Sequence, residues 1–177
     1  MDKIKIIIAD DHQLFRNGLK ILLNSFQDLE VVGEASNGEE FLEILGTTKA
    51  DIGLMDINMP VMNGVKMVRE IKKKNPQQII IVISAHDEAR YLLELINLGV
   101  EHFVLKPLDL KLFLTVIEKA VKLARISRLE EEYKHKLEAT VAQRTKELST
   151  ALETVNDLTS EMVHRLSAAA ELRDKDS

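Results

Sequence analysis

Five short apolar runs, each followed by a segment with a single apolar stripe, constrain this chain more than any other feature. The runs are Ile4 to Ala9, Leu29 to Ala35, Ile52 to Met55, Gln78 to Ile83 and His102 to Leu105. The first and fourth are nearly continuous Ile and Val, the composition of strands buried on both faces. Between them, Leu14, Phe15, Leu19, Leu22 and Leu23 step by three and four, as do Phe41, Leu42 and Leu45. The same spacing recurs in Val65, Met67, Val68 and Ile71, and in Tyr91, Leu92, Leu95 and Ile96. Strand and helix in strict alternation imply a parallel sheet with right-handed crossovers and helices on both faces. The expected fold class is α/β, a doubly wound five-stranded parallel sheet.

That architecture directs attention to the strand ends, because ligands of such sheets sit beyond their carboxyl edges at a switch in strand order. Asp10 and Asp11 follow the first run, and Asp56 follows the third. Ser84 follows the fourth, and Lys106-Pro107 the fifth. Three carboxylates brought together repel one another, so they either share protons or bind a cation. With no Cys in the chain and no His among these acids, the oxygen donors favour a hard ion such as Mg²⁺. A carboxylate in that setting can attack phosphorus and become an aspartyl phosphate. The metal and the Lys106 ammonium would offset charge on the transferring group, and Ser84 could donate to one of its oxygens.

The set Asp10-Asp11, Asp56 with Met59-Pro60, Ser84 and Lys106-Pro107 resembles the receiver domain of two-component response regulators, a flavodoxin-like fold. The resemblance covers roughly residues 3 to 124. It implies that Asp56 is the phosphoacceptor and that Asp10 and Asp11 hold Mg²⁺ together with Asp56 and the main-chain carbonyl of Asn58. It makes Ser84 the switch hydroxyl, Phe103 the rotating switch aromatic, and Lys106 the third catalytic residue beside Asp56 and Ser84. It also implies a cis Lys106-Pro107 bond and a histidine kinase or phosphotransfer protein as phosphodonor. Phe103 offers no hydroxyl to a partner, unlike a Tyr at that place. The opening Asp11-His12-Gln13-Leu14-Phe15-Arg16 is similar to receivers joined to DNA-binding domains. His12 is expected beside the site as a helix-start residue rather than a ligand, and His86 and His102 as surface or packing residues. Met55, Met59, Met62 and Met67 are expected to fill core and loop gaps.

The rest of the chain is of another kind. All seven Gly occur by Gly99 and the last of three Pro is Pro107, so nothing beyond it interrupts a helix. The expected division is a receiver over residues 1–124 and a helical extension over 125–177. Val141, Leu148, Val155 and Met162 recur every seven residues, with Leu137, Ala151, Leu158 and Leu172 at the complementary positions, diluted by Arg144 and Arg165. This is a two-stranded coiled-coil pattern, and a long polar helix needs a partner, so a parallel homodimer is expected. Upstream, four-residue steps from Leu129 through Tyr133 and Leu137 to Val141 locally unwind a left-handed supercoil. The segments Leu137 to Leu148 and Val163 to Asp174 resemble the connector and entry helix of HD-GYP cyclic di-GMP phosphodiesterases. That resemblance implies an output domain not contained in this chain.

Other functions fit these residues less well. A net charge of −5 argues against a broad nucleic-acid surface, and a DNA-binding regulator would need a Gly-bearing helix-turn-helix absent from the tail. A phosphotransfer role for His164 lacks the usual neighbouring Glu. A scaffold whose coil binds another protein stays open as an alternative. No apolar stretch near the start is long enough for a signal peptide or a membrane span. Absence of Cys fits a reducing compartment, and the expectation is a cytoplasmic signalling module rather than an enzyme in its own right.

Overall fold

A computed structural model describes residues 2–85 and 89–176, so His86 lies outside the described residues. The chain forms two compact units, Met1–Arg128 and Leu129–Ser177. In the first, strands β1 (Ile4–Ala9), β2 (Leu29–Ala35), β3 (Ile52–Asp56), β4 (Ile79–Ser84) and β5 (His102–Leu105) alternate with helices. These are α1 (Gln13–Asn24), α2 (Gly38–Thr47), α3 (Gly64–Lys74) and α4 (Ala89–Asn97), and α5 begins after β5 and spans Leu110–Lys175. All pairings are parallel and the strand order is β2-β1-β3-β4-β5, the doubly wound arrangement.

Side-chain alternation along the strands builds two cores. Ile4, Ile6 and Ile8 of β1, Ile52 and Leu54 of β3, and Ile79, Ile81 and Ile83 of β4 face Leu19 and Leu23 of α1 and Phe113, Ile117 and Ala120 of α5. Ile7, Ala9, Met55, Ile80 and Val82 face the other way, onto Phe41 of α2, Met67, Val68 and Ile71 of α3, and Leu95 of α4. Gly53 of β3 is needed on this second face. A Cβ there would lie 2.8 Å from the Phe41 ring, so the ring occupies the space a side chain would take.

The helices start and stop where local chemistry satisfies their end groups. Asn37 caps α2 by accepting from the Glu40 amide at 3.0 Å, while the Glu40 carboxylate accepts from the Ser36 amide at 2.8 Å, a reciprocal capping pair. Asn63 caps α3 through the Lys66 amide at 2.9 Å, and Lys72, Lys73 and Lys74 lie in its last turn, where cations suit the helix dipole. Two residues past the end of α4 comes Gly99, whose φ of 94° is left-handed and favours glycine. Asp109 caps α5 by accepting from Leu112 at 3.0 Å.

Within the first unit α5 is fastened at its far end by two arginines. Arg128 grips the Asp51 carboxylate with both Nε, at 2.8 Å, and Nη2, and also donates to the Lys3 carbonyl at 2.7 Å. Arg125 reaches Asp28 at 2.8 Å. The second unit is the remainder of α5, and every described residue from Leu129 onward is exposed. Its surface carries local pairs such as Arg165 with Glu161 at 2.7 Å, four residues apart. Among the described residues, no helix is long and apolar enough to cross a membrane.

Candidate functional site

The site is assembled by strand ends. Asp56 is the last residue of β3, 3% exposed, and its register partner on β4 is Ile83, immediately before Ser84. Asp10 follows β1, where its amide still bonds the Ala35 carbonyl of β2 at 3.0 Å, so β1 runs on to the carboxylate before turning into α1. Lys106 follows β5, held by its amide donating to the Ser84 carbonyl at 2.8 Å. The adjacent strands β1 and β3, and β5 one strand further on beyond β4, therefore deliver three charged groups to one edge, at the switch between β1 and β3.

Lys106 Nζ donates to Asp56 Oδ2 at 2.7 Å and lies 3.8 Å from Asp10 Oδ2. The second Asp56 oxygen accepts from the Asn58 amide at 3.3 Å. Asp10 is 1% exposed; its Oδ1 accepts from the His12 amide at 2.7 Å, while Oδ2 is buried with no hydrogen-bond partner. Such an orphaned anionic oxygen is costly unless a cation completes it. Burial, reinforced by the Asp56 charge, pushes the Asp10 carboxyl above its usual pKa despite the His12 amide and Lys106. Burial also works against the Lys106 ammonium, but the Asp56 hydrogen bond and charge, joined by Asp10 and Asp11, outweigh it and raise the lysine's pKa.

Ligand atoms of Asp10, Asp11, His12 and Asp56 all lie within 4.8 Å of one another. A divalent ion at the usual oxygen distances of about 2.0 to 2.6 Å could bridge such a set. His12 stands at the start of α1 beside the site, as expected. Its Nδ1 lies 3.0 Å from Asp11 Oδ1 and 3.3 Å from Asp10 Oδ1, and its side chain forms no cap on α1.

The other singled-out residues are near but differently engaged. Ser84 is fully buried and its hydroxyl donates to the Ala85 carbonyl at 3.2 Å. Phe103 is half-buried on β5 against the second core. Asn58 is exposed in the loop after β3, and the Lys106-Pro107 bond is cis. That loop turns sharply: Val61 has a φ of 68°, and Gly64 returns to donate to the Ile57 carbonyl at 2.9 Å.

Sequence reasoning puts Phe15 in the apolar stripe of α1 and Arg16 only in the opening motif, and gives neither a task at the site. Arg16 Nη1 donates to the Asp10 carbonyl, and its Nε lies 3.4 Å from Glu34. The Phe15 ring centroid is 5.1 Å from Lys106 Nζ. Their position five and six residues after Asp10, in the first turn of α1, was the available signal.

Fold and strand-end acids together define a doubly wound α/β domain with an acidic cluster facing a lysine. The response regulator receiver domain model matches residues 6–118, and the chain belongs to that family. The transcriptional regulatory protein DegU of Brevibacillus brevis is 39% identical over 108 residues, 61% of this chain and 46% of that protein. A protein-glutamate methylesterase/protein-glutamine glutaminase of Vibrio cholerae is 38% identical over 107 residues, 60% of this chain and 28% of that protein. Among solved structures, the REC domain of AraT, a response regulator from Geobacillus stearothermophilus, aligns with a TM-score of 0.61 at 34% identity. That alignment covers 72% of this chain and 98% of that one. The chain spans about half the length of the first curated relatives it matches, or less.

Proposed function

We propose that the first unit accepts a phosphoryl group on Asp56 and that α5 carries the resulting state into a dimeric coil. The observation that carries this reading is the contact of Lys106 Nζ with Asp56 Oδ2 at 2.7 Å, beside the orphaned Asp10 Oδ2. In transfer from a phosphohistidine of a partner kinase or phosphotransfer protein, an Asp56 oxygen forms the new bond to phosphorus. The phosphorus–nitrogen bond breaks and the imidazole leaves with its electron pair, taking up a proton. Asp10, Asp11, Asp56 and the main-chain carbonyl of Asn58 would hold Mg²⁺, which when bound offsets charge on the phosphoryl oxygens. Lys106 exchanges Asp56 Oδ2 for a phosphoryl oxygen, and Ser84 turns its hydroxyl from the Ala85 carbonyl toward another. Phe103, only half-buried, rotates inward as Ser84 moves.

The readout follows from continuity. Helix α5 packs Phe113, Ile117 and Ala120 on the sheet and continues without a break to Lys175. Beyond Leu129 its heptad residues, among them Val141, Leu148 and Leu158, are more than half exposed. A second copy in parallel register would cover them. The working division is a receiver over 1–124 and a coiled-coil extension over 125–177. The output is assigned to a domain beyond the coil, an HD-GYP phosphodiesterase on the resemblance of Val163 to Asp174, with a cytoplasmic location matching a kinase partner. The relatives' names point to transcriptional control and to methylesterase activity instead. A partner protein bound directly by the coil is the competing use of the same surface.

The test is incubation with a small phosphodonor such as acetyl phosphate and Mg²⁺, followed by intact mass. One phosphoryl group is expected on the wild type, none on Asp56→Asn, and none after chelation of the metal. An Asp56→Asn protein modified as fully as the wild type refutes the assignment.

A further inference from the structure

We propose that Phe15 is the positioning residue for the Lys106 ammonium, through a cation–π contact that persists while the lysine changes its anionic partner. The inference rests on the reading of Asp56 as phosphoacceptor and adds a residue that the acidic motif does not contain.

Lys106 has to serve two charge states. In the present state one of its N–H groups goes to Asp56 Oδ2 at 2.7 Å, and Asp10 Oδ2 at 3.8 Å is too far for a hydrogen bond. Once Asp56 carries phosphate, the same ammonium must reach a phosphoryl oxygen, so its carboxylate anchor is the contact that changes. The side chain is 30% exposed, and a four-carbon stem at that exposure is free to swing into water. The Phe15 ring, with its centroid 5.1 Å from Nζ, offers the negative face of its quadrupole to the cation. It takes no N–H donor away from the phosphoryl oxygens, and its charge does not change between the two states.

The ring is also well carried. Phe15 packs against the first core in the opening turn of α1, a helix secured by buried Leu19 and Leu23. The next residue, Arg16, donates to the main-chain carbonyl of Asp10. The aromatic face and the acid that flanks Lys106 are therefore tied to one another through two adjacent residues. A Leu at position 15 would fill similar space on the core but present no π face.

Beryllofluoride, which mimics a phosphoryl group on Asp56, tests this in the full chain with Mg²⁺ present. Phe15→Leu is expected to weaken beryllofluoride binding roughly three- to fivefold. Phe15→Tyr, which keeps the ring face, is expected to restore it. Independently of any ligand, the Lys106 ε-methylene protons of the wild type should be shifted upfield by the ring current, and Phe15→Leu should abolish that shift. Phe15→Leu binding with wild-type affinity, or a Tyr variant as weak as the Leu variant, overturns the proposal. So does an unshifted Lys106 methylene in the wild type. A wild type that binds no beryllofluoride overturns instead the reading of Asp56, and the ring-current shift still decides whether the contact exists.

Discussion

At the scale of single residues, the site concentrates groups that a folding chain would otherwise avoid. Asp10 Oδ2 is buried without a partner, and Val61, a β-branched residue 73% exposed, sits at a φ of 68°. The left-handed region places Cβ against the following carbonyl, and no burial at Val61 offsets that strain. Glycine loses more backbone entropy on folding but escapes the clash. Val61→Gly should therefore raise the stability of the unfolding transition by about 1 kcal/mol, read by urea or thermal denaturation. An unchanged or lowered midpoint would show that the loop is not strained there. The acids, Ser84 and Lys106 were legible in the sequence because each closes an apolar run. The Val61 conformation and the Phe15 contact were not. One arises from closing the loop between β3 and α3, and the other joins residues 91 positions apart whose meeting depends on the sheet's register.

At the scale of elements, runs and strands agree closely. β1, β2 and β5 span the expected residues, β3 extends one further to Asp56, and β4 is shifted by one, starting at Ile79 rather than Gln78 and ending at Ser84. Those last residues stay paired because the neighbouring strands continue alongside: Asp56 opposite Ile83, and Ser84 opposite Leu105. The Arg128–Asp51 and Arg125–Asp28 contacts could not be read from periodicity, since they join residues far apart in the chain across the end of the sheet. Strand β5 also carries a pH-sensitive group. His102, at its start, has a buried Nε2 with no hydrogen-bond partner. Burial lowers its pKa below 6.5; nearby Glu101 opposes the shift and Lys119 adds to it. A depressed histidine contributes stability that is full above the unfolded value near 6.5 and is lost as pH falls through the folded value. His102→Leu should lose less stability than the wild type between about pH 7.5 and 5.5, measured by urea midpoints. Equal losses in the two proteins would mean that His102 is solvated in both charge states.

At the scale of the whole molecule, a domain whose strand ends gather charge shares one uninterrupted helix with a segment whose described residues are all exposed. Chemistry at Asp56 needs no helix of that kind, and a helix exposed on every side needs a partner to be stable at that length. Both are accounted for if phosphorylation alters how two copies of α5 pack, since coiled interfaces settle into discrete registers rather than deforming continuously. The heptad repeat was legible in the sequence because seven-residue spacing is a property of one chain. The parallel homodimer expected from that repeat is a proposal, because one chain can display at most half of such an interface. The chain contains no Cys, so single cysteines at Val141, Leu148, Val155 and Met162 report on the coil without background. The most direct test is disulfide cross-linking of these variants with Mg²⁺, in the presence and absence of beryllofluoride. The account predicts cross-linked dimers whose yields redistribute among the four positions on beryllofluoride addition, with no redistribution when Asp56 is replaced by Asn. Absence of dimers, or one unchanging pattern in all conditions, would contradict it.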